Sequence, residues 1–63
     1  MEKYRGDELL KPVDFAKEVG VSTTTVYMML REGSIKHVLK RWGSVLVKRI
    51  PYSEAERLKR EAN

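Results

Sequence analysis

The sequence predicts a mainly α-helical fold with one β-hairpin, in the order helix, turn, helix, hairpin, helix. Apolar residues recur at helical spacing on both sides of Gly20, which indicates two helices joined by a tight turn. After Ile35 the pattern changes to β-branched runs around Gly43-Ser44, which is typical of a hairpin. A chain of 63 residues forms one small domain with a small core.

The N-terminal part of the chain divides into a tail and a first helix. Residues 1–8 are charged and poor in apolar side chains, so we expect a flexible tail, and the folded domain is predicted to span 9–63. Leu9-Leu10 is expected to dock on the core as an extended piece. The first helix is predicted at 12–19, because proline suits the first position of a helix and Gly20 suits a left-handed C-terminus.

The second helix is predicted to run from Thr23 to Glu32 and to stop at Gly33. Ser22 is the predicted N-cap, because its hydroxyl can accept from a backbone N–H one turn later. The spacing of the apolar residues gives this helix an inner face of Val26, Met29 and Leu30. The side chains that point outward are then Thr23, Thr24, Tyr27, Met28 and Arg31.

The hairpin strands are predicted at 35–42 and 45–50. A glycine at the first position of a two-residue loop suits a type II′ turn, so Gly43-Ser44 is the predicted loop. In that register the facing pairs are Trp42 with Val45, Lys40 with Val47, and Leu39 with Lys48. After Pro51, the Ser-x-x-Glu pattern at 53–56 predicts a capping box and a final helix over 54–61, with Ala55 and Leu58 on its inner face.

Composition argues against several classes of protein. Without cysteine there is no disulfide and no thiolate metal site, and His37 alone cannot build a zinc site, so we expect no metal and no cofactor. The sequence offers no nucleophile with a base and no paired carboxylates in a pocket, so no catalytic residue and no enzyme is predicted. There is neither a membrane-length apolar run nor a signal peptide, and a cytoplasmic, nucleoid-associated location is expected.

Positive charge is concentrated in the second half of the chain. Residues 1–32 carry five basic and six acidic side chains, whereas residues 33–63 carry eight basic and three acidic ones. Residues 36–49 contain five Lys or Arg and no acid. A one-sided basic segment favours a polyanion, because each neutralised phosphate releases counterions; a solvated charged surface is the alternative.

Two features together indicate double-stranded DNA as the partner. The spacing of Ala16, Gly20, Val21, Val26 and Met29 is typical of a helix-turn-helix, whose second helix fits the major groove. The basic hairpin that follows, residues 36–49, is typical of a wing that touches phosphates or an adjacent minor groove. The predicted fold is therefore a winged helix-turn-helix.

The chain resembles the excisionase and MerR-like winged helix-turn-helix superfamily over about residues 9–60. The resemblance lies in segments 10–22, 25–27, 30–33 and 49–51, of which the last is Arg49-Ile50-Pro51. The junction at 51–54 is also similar to the end of the DNA-binding domain of serine transposases. The resemblance implies the fold and the DNA-binding role. The chain differs at Lys11, where the family usually has a Ser or Thr cap, and at Lys48, where many relatives have tryptophan.

The predicted DNA-binding residues lie on the second helix and on the wing. We expect the second helix to enter the major groove and the wing to contact the flanking backbone or minor groove. Threonine hydroxyls can read base edges, and Arg31 and Arg41 are expected on the DNA backbone or, for Arg41, in the minor groove. The full set is Ser22, Thr23, Thr24, Tyr27, Met28, Arg31, Lys40, Arg41, Lys48 and Arg49.

Other polar and aromatic residues are given structural or solvent roles. Trp42 is expected to pack on the hairpin, with a DNA wedge and a protein contact as alternatives, and His37 is expected to be structural. Arg57, Lys59 and Arg60 are expected to be solvated, with a phosphate contact as the alternative.

Three functions remain open at this point. The first is sequence-specific binding of double-stranded DNA as an excisionase-like recombination factor or transcriptional regulator, with self-association or cooperative binding on adjacent sites and a recombinase partner. The second is a protein-interaction module with Tyr27, Met28 and Trp42 as its hot spots. The third is the DNA-binding part of a serine transposase.

Overall fold

The computed structural model describes residues 4–62 and contains three helices and a three-stranded antiparallel sheet. The predicted order of helix, turn, helix, hairpin and helix is present, preceded by one short strand. The sheet order is β1-β3-β2, so β3 is the central strand. The elements are β1 (Leu9–Leu10), α1 (Pro12–Val19), α2 (Thr23–Glu32), β2 (Val38–Trp42), β3 (Val45–Pro51) and α3 (Tyr52–Ala62).

The turn between α1 and α2 is fixed by backbone hydrogen bonds. Gly20 has φ 85°, the left-handed conformation predicted for it, and its N–H and that of Val21 donate to the Ala16 carbonyl at 2.8 and 3.1 Å. The Ser22 hydroxyl accepts from the Thr25 N–H at 3.1 Å, so the predicted cap of α2 is confirmed. Lys11 makes no side-chain cap, and Pro12 begins α1 without one. The connection between the two helices is therefore short and held by hydrogen bonds at both of its ends.

The core lies between the three helices and the base of β3. Phe15, Val26 and Ile50 are fully buried, and each such side chain contributes about 1.5–3 kcal/mol through removal from water. Of the predicted inner face of α2, Val26 and Leu30 are buried, while Met29 packs at the margin of the core. Ala55 is buried and Leu58 is partly buried, as predicted for the inner face of α3.

The hairpin has the predicted register but a shorter first strand. Trp42 pairs with Val45, and the remaining pairs follow in the predicted register. Gly43 has φ 64° and Ser44 does not have positive φ, which agrees with a type II′ loop. β2 begins at Val38 rather than at Ile35. Ile35 is buried in the core, and residues 35–37 form a loop before the strand.

The N-terminus of α3 is capped by another part of the chain. α3 begins at Tyr52, two residues before the predicted start, so the capping box predicted at 53–56 is wrong and Ser53 lies inside the first turn. The N–H groups of Tyr52 and Ser53 instead donate to the carbonyls of Glu8 and Gly6, at 2.8 and 3.0 Å. These long-range bonds satisfy donors that a side-chain cap would otherwise satisfy.

Part of the predicted flexible tail contacts the body of the domain. Of residues 1–8, residues 1–3 lie outside the described part of the chain. Besides the two carbonyls that cap α3, the ring of Tyr4 lies 5.3 Å from the ring of Tyr52, centroid to centroid. Residues 4–8 thus cover the start of α3, although they carry few apolar side chains.

The loop before the hairpin is tied to α3 by a buried carboxylate. Glu54 is only 7 % exposed; it accepts from the Lys36 N–H at 2.8 Å and pairs with Arg57 at 3.0 Å. Arg57 also donates to the Ser34 carbonyl at 3.0 Å and pairs with Glu61 at 3.1 Å. The hydrogen bond from Arg57 holds the pKa of Glu54 below its ordinary value, against the opposing effect of burial.

Two cations of α3 have side-chain partners. Arg57 is half-buried, contrary to the expected solvated role, whereas Lys59 is exposed as expected. Arg57 forms the network just described because the loop after α2 passes within reach of it. Lys59 donates to the Tyr52 hydroxyl at 3.4 Å and lies 3.6 Å from a Glu18 carboxylate oxygen. Arg60 is exposed, as expected.

We predict that Gly20→Ala lowers the free energy of unfolding by about 1–2 kcal/mol, through backbone strain alone. A Cβ at Gly20 would meet no atom within 4 Å, so no clash contributes. Gly6→Ala is the matched control, since Gly6 does not have positive φ and its Cβ would lie at an ordinary 3.7 Å from Glu56. Urea unfolding measures both variants, and equal stabilities would contradict the role given to the Gly20 turn.

We predict that Glu54→Gln destabilises the fold by about 1–2 kcal/mol at pH 7, through loss of a charged acceptor. Because the folded pKa of Glu54 is lowered from 4.5, its contribution is complete above that value and is lost as the pH falls through the folded pKa. The difference in unfolding free energy between wild type and variant should therefore shrink below about pH 4.5. Urea unfolding from neutral to acid pH measures it; a constant difference would contradict the assignment.

Candidate functional site

The outward side of α2 carries a stripe of exposed side chains at helical spacing. Thr24, Tyr27, Met28 and Arg31 are three, one and three residues apart, so they lie along one side of the helix, and we refer to them as the α2 stripe. Tyr27 and Met28 are 51 % and 52 % exposed. The opposite side of α2 is held by buried Val26 and Leu30, so the orientation of the stripe is fixed by the core.

The first turn of α2 uses its hydroxyls partly for its own structure. The Ser22 and Thr25 hydroxyls lie 2.9 Å apart and share a hydrogen bond, in addition to the Ser22 cap. Thr23 is half-buried, whereas Thr24 is exposed. Of the predicted contacts at this end of the helix, Ser22 and Thr24 are exposed, and the Ser22 hydroxyl is engaged in the cap.

The four predicted cations of the hairpin are divided between its two faces. Cross-strand partners share a face and neighbours along a strand alternate, so Lys40 and Arg49 lie on one face and Arg41 and Lys48 on the other. Ile50 lies two residues from Lys48 on the same face and is fully buried. The face of Arg41 and Lys48 is therefore the one that continues into the core side of the domain.

An open cleft of about 320 Å³ brings α2 and the hairpin together. It is lined by Tyr27 of the α2 stripe, by Pro12 at the start of α1 and by residues 46–49 of β3, which include Lys48 and Arg49. The sequence did not single out Pro12, Leu46 or Val47 for this site. The hairpin register, which places Leu46 and Lys48 on one face, was the signal that could have identified Leu46.

The hairpin itself is exposed and rich in apolar side chains. All five residues of β2 are exposed, and Leu39, Val45 and Leu46 are each more than half exposed. Trp42 is 80 % exposed, so the expectation that it packs on the hairpin is wrong. The reason is its position beside the Gly43 turn, at the end of the hairpin away from the core, where its partner Val45 offers a small surface.

The described residues offer no arrangement for metal chemistry. Within residues 4–62, no group of three or more His, Cys, Asp or Glu side chains could hold a metal ion. None of the helices in this range is both long and apolar enough to cross a membrane. The candidate surface is the exposed α2 stripe beside the basic hairpin.

Comparison of the chain with protein-family models, with curated protein sequences and with solved structures finds no match.

We predict that Trp42→Ala changes the free energy of unfolding by less than about 0.5 kcal/mol, because an 80 % exposed side chain loses little contact on truncation. Phe15→Ala, at a fully buried position, is the contrast and should cost about 3–5 kcal/mol. Urea unfolding compares the two; a loss above about 1 kcal/mol for Trp42→Ala would show that the indole packs in solution.

Proposed function

We propose that this chain is a winged helix-turn-helix domain that binds double-stranded DNA in a sequence-specific way. α2 enters the major groove, and the wing, residues 36–49, contacts the flanking backbone or minor groove. The superfamily that the sequence resembles, excisionase and MerR-like proteins, has this fold and role. The observation that carries the proposal is the α2 stripe, exposed and rigidly held, directly beside a protruding acid-free hairpin.

The chemistry of the α2 stripe suits base edges and phosphates. The Thr24 hydroxyl can donate or accept at a base edge, and its methyl group can touch a thymine methyl. Tyr27 provides a phenol for a phosphate or a base, and Met28 an apolar contact. Arg31 lies in the last turn of the helix, where a guanidinium can bind phosphate at the margin of the groove.

The face of the hairpin that carries Arg41 and Lys48 completes the interface. Lys48 lines the same cleft as Tyr27, and Arg41 lies on the same face nearer the tip. We expect a duplex on the α2 stripe to contact Lys48 in the cleft and Arg41 nearer the tip. Lys40 and Arg49 belong to the opposite face. Arg49 also lines the cleft beside Tyr27 and can add to these contacts, whereas Lys40 contributes to the general positive field.

A domain of this size covers a short stretch of DNA. A single module of this kind buries roughly 600–1,000 Å² of protein surface, which limits its affinity for one site. Useful specificity then requires several copies on adjacent sites or a partner such as a recombinase. We therefore propose a recombination factor or a transcriptional regulator rather than an enzyme; as the DNA-binding part of a serine transposase the domain would make the same contacts.

The second candidate is a protein-interaction module. The observation that favours it is the exposure of Trp42, together with Tyr27 and Met28, which are residue types typical of binding hot spots. Salt dependence separates the two candidates. DNA binding weakens steeply with added salt, whereas binding through apolar side chains does not.

We predict that Thr24→Ala and Arg41→Ala weaken DNA binding in different ways. Duplexes selected from a random library by the immobilised protein provide the site, and fluorescence anisotropy measures affinity. Thr24→Ala should lose about fivefold or more on the selected site and little on unrelated duplexes, because it removes a base contact. Arg41→Ala should weaken binding to the selected site and to unrelated duplexes by a similar factor. It should also reduce the slope of log K against log salt by about 1, because it removes a phosphate contact.

The control and the wild-type salt slope make the same experiment decisive. Arg60→Ala removes an equal charge from an exposed position outside the proposed interface and should leave the affinity unchanged. Three phosphate contacts, from Arg31, Arg41 and Lys48, give a slope of log K against log salt of about −3. A slope near zero, or no loss in either interface variant, would contradict the proposal.

A further inference from the structure

The central strand β3 pairs with β2 along one edge, and β1 covers only one end of its other edge. β1 pairs with Ile50 and Pro51, and the Tyr52 N–H donates to the Glu8 carbonyl on the same side. Along residues 45–49, no strand within residues 4–62 pairs with this edge. The pairing of the sheet therefore stops in the middle of β3, where a further strand could continue it.

The backbone groups on this edge follow from the hairpin register. Across a two-residue loop, Trp42 and Val45 form the hydrogen-bonded pair, so the N–H and C=O groups of residues 45, 47 and 49 point to β2. Those of Leu46 and Lys48 point the other way, toward the open edge. The Arg49 guanidinium donates to the Lys48 carbonyl at 2.9 Å, so a peptide N–H would be the second donor to that oxygen.

Pro12 explains why β1 does not continue along β3. In the β1–β3 register Leu10 pairs with Ile50, so the residue opposite Lys48 would be Pro12. Proline has no N–H to donate to the ladder, and here it begins α1 and leads the chain away from the sheet. The path that β1 leaves at Pro12 is the open cleft of about 320 Å³ between Pro12, Tyr27 and β3.

The lining of this cleft suits a peptide better than a phosphate. Pro12, Leu46, Val47 and the ring of Tyr27 provide apolar contacts, and the strand edge offers carbonyl oxygens as well as N–H groups. The Leu46 carbonyl and the second lone pair of the Lys48 carbonyl can accept from a donor, which a phosphodiester lacks and an extended peptide has at alternate residues. The basic side chains around the cleft in turn favour a peptide with carboxylates.

We propose that the open edge of β3 binds an extended acidic peptide segment of a partner protein as an added antiparallel strand, in line with β1. Backbone hydrogen bonds to Leu46 and Lys48 provide the register, and carboxylates of the peptide face Lys48. A second copy of this chain is the poorer occupant, because its own hairpin segment, residues 36–49, is basic and contains no acid. The bound peptide also covers Tyr27, so it competes with DNA. Only this competition rests on the proposed function.

The probe for this inference is a fluorescein-labelled eight-residue peptide of alternating valine and aspartate. Anisotropy measures its binding to the full chain at low salt. Binding should weaken about tenfold when alternate backbone nitrogens of the peptide are methylated, which removes donors but keeps every side chain. A valine–lysine peptide should not bind, since its charges match those of the hairpin.

Matched protein variants locate the binding site. Lys48→Glu should weaken binding of the aspartate peptide about tenfold, whereas Arg60→Glu, with the same change of charge on the exposed side of α3, should leave it within about twofold. In amide hydrogen exchange with saturating peptide, the N–H groups of Leu46 and Lys48 should become protected, because these point to the open edge.

Three results would overturn the inference: no binding of the aspartate peptide, equal binding of the methylated peptide, or protection confined to the outer strand β2. Competition with the selected DNA duplex is measured separately. If the peptide binds as described while no duplex does, the inference stands and the proposed DNA-binding function fails. If the duplex binds and the peptide does not, the opposite holds.

Discussion

The alternation of side chains along β3 is the constraint on which the functional surface depends. Ile50 is fully buried, so the face of β3 to which it belongs is set by the core. Because the side-chain period of a strand is two, this single burial also orients Lys48 and Leu46, and through the pairing with β2 it orients Arg41. The burial of Ile50 at the base of the hairpin thus decides which cations share a face of the hairpin.

Contacts with the rest of the domain hold the hairpin in place, because the hairpin buries few apolar side chains of its own. All of β2 is exposed, so its own apolar burial contributes little to its position. Its base is held instead by Ile35 in the core and by the hydrogen bond from the Lys36 N–H to Glu54. Arg57 supports that carboxylate and also binds the Ser34 carbonyl, so charged groups on α3 fix the loop through which the hairpin leaves the domain.

Local signals in the sequence predict most of the helix bounds and the hairpin register. Contacts between residues far apart in the sequence could not be predicted from such signals. The bounds of α1 and α2 follow from Pro12, Gly20, Ser22 and Gly33, each of which acts within one turn, and Gly43 with its β-branched neighbours gives the register. The start of α3 could not be predicted, because its N–H groups bond to carbonyls more than 40 residues earlier in the chain. The exposure of Trp42 and the contacts of Arg57 likewise depend on which segments meet in space. Whether the predicted residues bind DNA stays a prediction.

Apolar side chains are exposed on both sides of the hairpin, and the two proposed occupants would cover them to different extents. Leu39 and Leu46 share one face with Arg41, and Val45 and Trp42 share the other with Lys40, so each face combines a cation with apolar groups. A duplex would use the cations of one face and leave most of these apolar side chains in water. An extended peptide would use the backbone edge and part of the apolar surface, and it would meet DNA only at Tyr27 and Lys48. Because both occupants need these two residues, a segment that binds the β3 edge would reduce DNA affinity through a shared surface, without any change in the fold.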